Sequence, residues 1–310
     1  MTDFFRQRIK LLFYAWLFLG FVVPLEAKHY FVDDNGSDAN NGTNVSAPFL
    51  TISKAAGLMM PLAVSSTCYI FPGNYSEQVE IYSNKNNGFM VFTRLSNSLP
   101  VLDGAGASND IFTITNASRV ILSGLVIRAC TNSGIMILGN SVSNSIMQNE
   151  IYNNSRAGIM ISGSEADCNR IEGNHIWKST SQDYCIYILE GDSTEIRTNR
   201  LAQSGIYSIY LQGSITNTRI VNNQICSNSY GIYINYEGID RNSIISNRIW
   251  KIGLFGIYIQ QGDTNRIYRN LFADNLYGVY VDNGADGTEE INNTFFRHTY
   301  AIYNPGNAAN

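Results

Sequence analysis

Two ionisable side chains, Lys178 and Asp183, lie in one irregular segment that begins after Trp177 and ends at Tyr184. An amine such as that of Lys178 can remove a proton next to a carboxylate, and an acid such as Asp183 can assist it or hold a cation that stabilises the developing charge. We therefore take Lys178 as a candidate catalytic base and Asp183 as its helper or cation ligand. Solvated loop residues would produce the same pattern, so a purely structural interpretation stays open.

Acidic residues recur in a second kind of segment, directly after short apolar phrases. Glu165, Asp167 and Asp192 are the three that we expect to come close if these segments stack on one another. Carboxylate oxygens at such spacing can hold Ca²⁺, so the three residues predict a calcium site. The alternative is that these acids are only solvated, and the cofactor, with calcium as the candidate, stays unknown.

A tyrosine recurs at one position of a repeating phrase, where alternation places it on an outer face. Exposed aromatic rings can stack on sugars, so this column predicts a surface that binds polysaccharide. The alternative is that the tyrosines only pair with their neighbours along a sheet. A second aromatic column, which immediately precedes the phrase, is expected inward or at a corner and therefore in the core. The outward column consists of Tyr187, Tyr210, Tyr233, Tyr258, Tyr280 and Tyr303; the second column consists of Tyr184, Tyr207, Tyr230, Phe255, Tyr277 and Tyr300.

A repeated element must position all of these residues. From residue 134 onward, a phrase of the type Gly-Ile-Tyr-Ile returns every 22 to 27 residues, and a second phrase, apolar-x-x-Asn-x-apolar, lies between its copies. Apolar residues alternate with period 2 within each phrase, which predicts short strands separated by turns of Gly, Asn, Ser and Asp. Leucine-rich repeats require Leu at set positions and propeller blades need about 40 residues, so neither fits.

One turn of a three-strand coil does fit this repeat length. Each coil would pair in parallel with the next at ~4.8 Å, and looser copies upstream extend the array to about ten coils. The Ile residues of the first phrase are expected to point inward in columns. The Asn of the second phrase is expected in a tight turn, in the left-handed conformation, with its amide bonded to the copies above and below.

The two phrases resemble those of the right-handed parallel β-helix of pectate-lyase-like proteins, including their asparagine ladder, over residues 65–304. The segments around His29–Thr43 and Pro48–Ala56 are similar to the opening of many secreted carbohydrate-active β-helices. This resemblance implies an all-β solenoid whose N-terminal end is plugged by a helix. We expect that helix over Thr51–Met60, with Ile52, Ala55, Ala56 and Met59 facing inward and Pro61 ending it.

The N-terminal segment indicates the location of the protein, and its net charge bears on its partners. Arg6, Arg8 and Lys10 precede an apolar stretch over 11–23, so residues 1–27 read as an export signal, with an uncleaved anchor as the alternative. Residues 28–64 would then form the entry strand and capping helix, and residues 65–310 the β-helix. A formal charge of −4 does not suggest nucleic-acid binding. We expect an exported protein, secreted, periplasmic or at the cell surface, without a membrane span once the signal is removed.

Two functions remain open at this point. The resemblance implies a protein that binds or acts on polysaccharide, and family lyases use Lys or Arg with calcium held by Asp, which favours a lyase of acidic glycans. The competing interpretation is a non-catalytic β-helix rod, either adhesin-like or an accessory protein of metal-enzyme maturation. The five cysteines match no zinc pattern and are read as free, mostly buried thiols. An open final coil predicts end-to-end self-association.

Overall fold

The computed structural model describes residues 26–84, 88–105, 109–177 and 183–305. Lys178 and residues 1–25 of the expected export signal lie outside these ranges. Within them, three long parallel sheets wind around one core in about nine turns, which confirms the expected all-β, right-handed parallel β-helix. No helix of this part of the chain is long and apolar enough to cross a membrane.

Each coil contributes one strand to each sheet. Sheet A contains, in order, Lys28–Val32, Ser66–Ile70, Met90–Arg94, Val120–Ser123, Ser145–Met147, Arg170–Glu172, Glu195–Arg197, Arg219–Val221, Ser243–Ile245, Arg266–Tyr268 and Glu289–Ile291. Sheet B contains Asn74–Tyr75, Val101–Asp103, Val126–Arg128, Glu150–Tyr152, His175–Trp177, Arg200–Ala202, Gln224–Cys226, Arg248–Trp250, Leu271–Ala273 and Thr294–Phe296. Sheet C contains Val79–Tyr82, Phe112–Thr115, Ile135–Leu138, Ala157–Ser162, Tyr184–Ile188, Tyr207–Leu211, Tyr230–Asn235, Phe255–Gln261, Tyr277–Gly284 and Tyr300–Tyr303. A short pair, Ile215–Thr216 with Ile239–Asp240, adds to one turn.

Like residues stack on like residues across the coils. Ile186 pairs with Ile159 on one side and Ile209 on the other, and Ile188 pairs with Ile161. These side chains are fully buried, as expected for the inward positions of the first phrase. Because each coil has the same branched side chain at the same position, the core packs as continuous columns of like residues rather than by fitting together side chains of different shapes.

A single helix of the described residues, Ile52–Met59, covers the start of the coil. Thr51 caps it by accepting a hydrogen bond from the Lys54 N–H, and the Glu77 carboxylate accepts from the first two helical N–H groups at 2.7 and 2.9 Å. Its buried residues are Ile52, Ala55, Ala56 and Met59, the four predicted to face inward. The helix therefore seals the apolar column that would otherwise open to water.

The expected asparagine ladder lies between sheets A and B. Asn199 shows its geometry: its Oδ1 accepts hydrogen bonds from the Asn174 N–H and Nδ2, and its own Nδ2 donates to the Ile171 carbonyl at 2.9 Å. The ladder consists of Asn149, Asn174, Asn199, Asn223, Asn247, Asn270 and Asn293. Similar buried asparagines occupy the other two corners, which the sequence reasoning did not anticipate: Asn144, Asn169, Asn242 and Asn265 at one, and Asn154, Asn228 and Asn275 at the other.

The expected left-handed backbone falls one residue earlier than predicted. The residues with positive φ immediately precede the ladder asparagines, for example Thr198 at 53° and Asn222 at 56°. The ladder Asn itself must keep its side chain under the next coil, so the preceding residue makes the sharp turn and points outward. The assignment of the left-handed conformation to the ladder Asn was therefore wrong.

Candidate functional site

The two aromatic columns lie side by side on the outer face of sheet C. The second column, expected in the core, is therefore on the surface, and the cause is a local break in alternation. Cys185 and Ile186 are consecutive and both fully buried, so Tyr184 and Tyr187 emerge on the same outer side. Met136 and Met160 extend this outer cluster toward the N-terminal coils. We call the surface formed by both columns, from Tyr184 to Tyr303, the Tyr face.

Rings of the Tyr face stack on one another along the rod. Tyr184 lies 4.7 Å from Tyr187 and 5.4 Å from Tyr207 between ring centroids, with interplanar angles of 24° and 9°. Tyr187, Tyr210 and Tyr233 are only 8–9% exposed. Their ring faces contact neighbouring rings, as expected if the tyrosines pair with one another along the sheet. These rings therefore present edges and hydroxyls, rather than flat faces, to a sugar.

The stack changes direction near its C-terminal end. The Tyr280 ring is turned 81° from Tyr258 and 79° from Tyr277, whereas it lies 5.0 Å from Tyr303 at 30°. The outward column is therefore interrupted between Tyr258 and Tyr280, whereas the second column continues from Tyr277 to Tyr300, whose rings lie 4.7 Å apart at 13°.

Hydroxyls of the outward column are paired with amide or acid side chains of the following coil. Tyr187 donates to Gln212 Oε1 at 2.6 Å, and Tyr258 donates to Asp282 Oδ2 at 3.2 Å. Tyr233 donates in the same way to Gln260, and the Tyr210 hydroxyl accepts from Asn235 Nδ2 at 3.3 Å. One phenol and one polar partner thus recur in each of these coils, which forms a polar line beside the rings.

Burial raises the pKa of three phenols of the Tyr face. It raises the pKa of Tyr207 to about 12, with the neighbouring Tyr230 as the next cause, and the pKa of Tyr258 to about 12, with Asp282 as the next cause. Burial likewise raises the pKa of Tyr187. These three hydroxyls therefore keep their protons at neutral pH and do not act as bases.

Asp183 lies exposed at the beginning of the Tyr face, beside Tyr184. Its carbonyl oxygen accepts from the Tyr207 N–H at 2.9 Å, while its own N–H donates to the Arg156 carbonyl at 3.2 Å. Lys178, the candidate base, lies outside the described residues. The cation that the structure does place here is Arg156.

The same corner of the β-helix, in an earlier coil, holds an acid that the sequence reasoning missed. Asp110 lies two coils before Arg156 and accepts from the Ser133 N–H at 2.9 Å. Burial raises the pKa of the Asp110 carboxyl, although the hydrogen bond from Ser133 and the charge of Arg156 lower it. A carboxyl that holds its proton to higher pH beside a cation is a candidate general acid. Its position directly before the apolar Ile111-Phe112 was the available signal.

The three expected calcium ligands lie at one corner of two adjacent coils, where Asp167 and Asp192 accept hydrogen bonds from backbone N–H groups. Asp167 accepts the Asp192 N–H at 2.7 Å, and Asp192 accepts the Thr216 N–H at 2.6 Å. Glu165 is exposed nearby. Over the described ranges, no group of three His, Cys, Asp or Glu side chains is arranged to hold a metal ion. Asp167 and Asp192 thus bond the backbone of the next coil, and the calcium site stays a prediction.

The cysteines form no disulfide. Cys68, Cys130, Cys185 and Cys226 are buried free thiols and Cys168 is an exposed one. Burial raises the pKa of Cys185 to about 12, with the nearby hydrogen bond to Ser204 acting against it. These buried thiols are therefore packing residues rather than nucleophiles.

Comparison with known proteins identifies the same architecture. Residues 164–310 match the family model of the right-handed β-helix region. An alignment 156 positions long, which covers 44% of this chain, is 28% identical to fibrocystin-L of Mus musculus, and this chain spans only 4% of that relative's length.

Solved structures extend the likeness over most of the chain. Pectate lyase Pel9A has a TM-score of 0.67 at 13% identity and covers 92% of this chain and 82% of its own. A glycoside hydrolase has a TM-score of 0.68 at 8% identity, with 88% and 96% covered. PfbA, a surface adhesin of Streptococcus pneumoniae, has a TM-score of 0.55 at 11% identity, with 76% and 83% covered. At these identities the likeness establishes the fold, which is shared by carbohydrate-active enzymes and an adhesin.

Proposed function

We propose that this parallel β-helix binds an extended polysaccharide along the Tyr face. The observation that carries the proposal is the line of paired hydroxyls and amides beside the stacked rings, repeated coil by coil. A polymer of sugar residues carries hydroxyls at regular intervals, and a row of donors and acceptors spaced at ~4.8 Å can bond several of them at once. The glycan-directed activities of Pel9A and of the glycoside hydrolase, as their names state them, are consistent with such a role.

The contact we propose differs from flat stacking of sugars on rings. The stacked phenols form a rigid, water-poor floor, and the sugar hydroxyls bond to the polar line at its edge. Because the rings hold one another in place, little side-chain entropy is lost when a glycan binds. Specificity would thus come from the hydroxyls and amides, and the shape of the binding surface from the rings.

Affinity gel electrophoresis against pectate, alginate, xylan and dextran tests this proposal. The double variant Tyr187→Phe/Tyr233→Phe keeps both rings and removes two hydroxyls, so we expect its affinity for the retained glycan to fall about tenfold. Tyr268→Phe, which makes the same change on sheet A, should bind as the parent does. A parent protein that is retarded by none of the glycans, or a double variant that is retarded equally, would contradict the proposal.

A narrower form of the proposal makes the chain an exported lyase of acidic glycans, with Lys178 as base and Asp183 as helper or cation ligand. Elimination leaves a double bond that absorbs in the ultraviolet, so activity on pectate and alginate can be followed with and without calcium. We expect Lys178→Ala to abolish the absorbance increase and Lys251→Ala, another loop lysine, to leave it unchanged. No absorbance change with any uronate would rule out the lyase.

The competing candidate is a non-catalytic rod at the cell surface or in the periplasm. It is favoured by the regular coils and by the partnering of Asp167 and Asp192 with the backbone. The two candidates are separated by the same assay, because a rod binds glycan without forming unsaturated product.

A further inference from the structure

Sheet B carries a shallow depression on its outer face, away from the Tyr face. It has a volume of about 150 Å³ and is lined by Arg248, Ile249, Trp250, Leu271 and Ala273. Trp250 pairs with Ala273 of the next coil, and Ala273 in turn pairs with Phe296. The small side chain between two aromatic ones creates the gap. Its volume is below the ~300 Å³ of a drug-sized site, so it fits one small ring.

Arg248 sets the charge of this depression. Its guanidinium carbon lies 5.8 Å from the centre of the Trp250 ring, within the range of a cation–π contact. Throughout the described part of the chain, no carboxylate lies within 4.0 Å of Arg248 or of Arg200, two coils earlier in the same column. Strand partners of Arg248 are Gln224 and Leu271, neither of which is acidic.

Several arginines on sheet A do have acidic partners. Arg197 is bonded to Glu172 at 2.6 Å, and Arg266 to Glu289 at 3.1 Å. Arg170 and Arg219 also lie within 4.0 Å of an acid. On sheet B, Arg128 is bonded to Asp103 at 3.0 Å, whereas Arg200 and Arg248 have no acid within 4.0 Å among the described residues. Arg248 therefore stands out as an exposed cation, next to an indole, in a chain of net negative charge.

We propose that this depression binds a carboxylated sugar residue, a uronate, of the same polysaccharide; the inference rests on the proposed function and names its substrate class. The apolar face of a pyranose would lie against Trp250, over Ala273, while the sugar carboxylate accepts two parallel hydrogen bonds from the Arg248 guanidinium. A planar guanidinium matches a planar carboxylate in this way, which a neutral sugar cannot exploit.

Calorimetric titration with a galacturonate tetramer and a neutral glucan tetramer, at low and at physiological salt, tests the proposal. We expect Arg248→Gln to weaken galacturonate binding about tenfold without changing the weaker binding of the glucan. Ala273→Leu, which fills the depression without removing charge, should weaken galacturonate binding by a similar factor. Arg219→Gln, which removes an exposed arginine from sheet A, is the matched control and should bind as the parent does.

The outcomes separate this proposal from the one on which it rests. Parent protein that binds neither tetramer, nor any glycan on gels, contradicts both. Galacturonate binding that survives Arg248→Gln and Ala273→Leu overturns the depression as the site and leaves the Tyr face standing. Dextran sulfate that competes as well as galacturonate at equal charge would also overturn it, because the attraction would then be to charge in general.

Discussion

At the scale of single residues, Glu290 is the clearest exception to the repeat. It pairs with Ile267 at the end of a fully buried isoleucine column of sheet A. Its Oε1 is buried without a hydrogen-bond partner among the described residues, and burial raises the pKa of its carboxyl. A carboxylate at a core position destabilises the coil when ionised, because the charge has lost water without gaining a partner.

The raised pKa of Glu290 predicts a pH dependence of stability. The folded form holds the proton more tightly, so the last coil is most stable below the ordinary Glu pKa and loses stability as pH rises through the raised value. We expect Glu290→Gln to raise the melting temperature at pH 7 and to change it little near pH 4. Glu289→Gln, which breaks the ion pair with Arg266, should not raise it at pH 7. A melting temperature of Glu290→Gln equal to that of the parent at pH 7 would refute this account.

At the scale of elements, the three corners of each coil share one construction. A residue with positive φ makes the turn, and the next residue is buried in most coils; at the ladder corner this residue is an Asn whose amide bonds the backbone of adjacent coils. The outward residue varies freely in type, from Gly173 to Thr198 and Arg269. The free-energy cost of holding this outward residue at positive φ therefore differs from coil to coil, although the ladder Asn that follows it stays the same.

A reciprocal exchange at two adjacent turns tests this separation. Thr198 and Asn222 hold equivalent places before Asn199 and Asn223, at φ of 53° and 56°. Asn tolerates this region better than a β-branched residue, so Thr198→Asn should stabilise the protein by about 1 kcal/mol and Asn222→Thr should destabilise it by about as much. Urea unfolding would measure both. Changes of the same sign in the two variants would show that turn strain is not the controlling factor.

At the scale of the whole molecule, one repeat supports three different outer faces. Sheet A carries ion pairs such as Arg197 with Glu172, sheet C carries the Tyr face, and sheet B carries Trp250 with the unpaired Arg248. The inner columns are nearly uniform, which leaves the outward positions free to differ. Binding chemistry can therefore vary on this rod without any change in its core.

End-to-end self-association remains a prediction at this scale. The last described coil exposes apolar side chains, with Ile302 47% and Phe296 55% accessible, although Ile302 continues an inward column. Contact of these exposed side chains with a second copy would remove apolar surface from water. We expect sedimentation velocity to show association that increases with protein concentration and that Ile302→Lys weakens it, while Leu58→Lys, an exposed site on the capping helix, does not. A monomer at all concentrations would argue against such contact.

The sequence by itself determined the coil, its inward isoleucines, the capping helix and one asparagine ladder, because each is a local pattern repeated at constant spacing. Only the tertiary structure decided that Tyr184 joins Tyr187 on one surface, that Asp167 serves the backbone, and that Arg248 lacks the acidic partner that Arg197 has. These outcomes depend on residues 23 to 27 positions apart in stacked coils and on a break in alternation at Cys185 and Ile186. A period-2 pattern within one strand predicts neither the contacts between coils nor the break in alternation. Contacts between coils form only when the register of stacking is set.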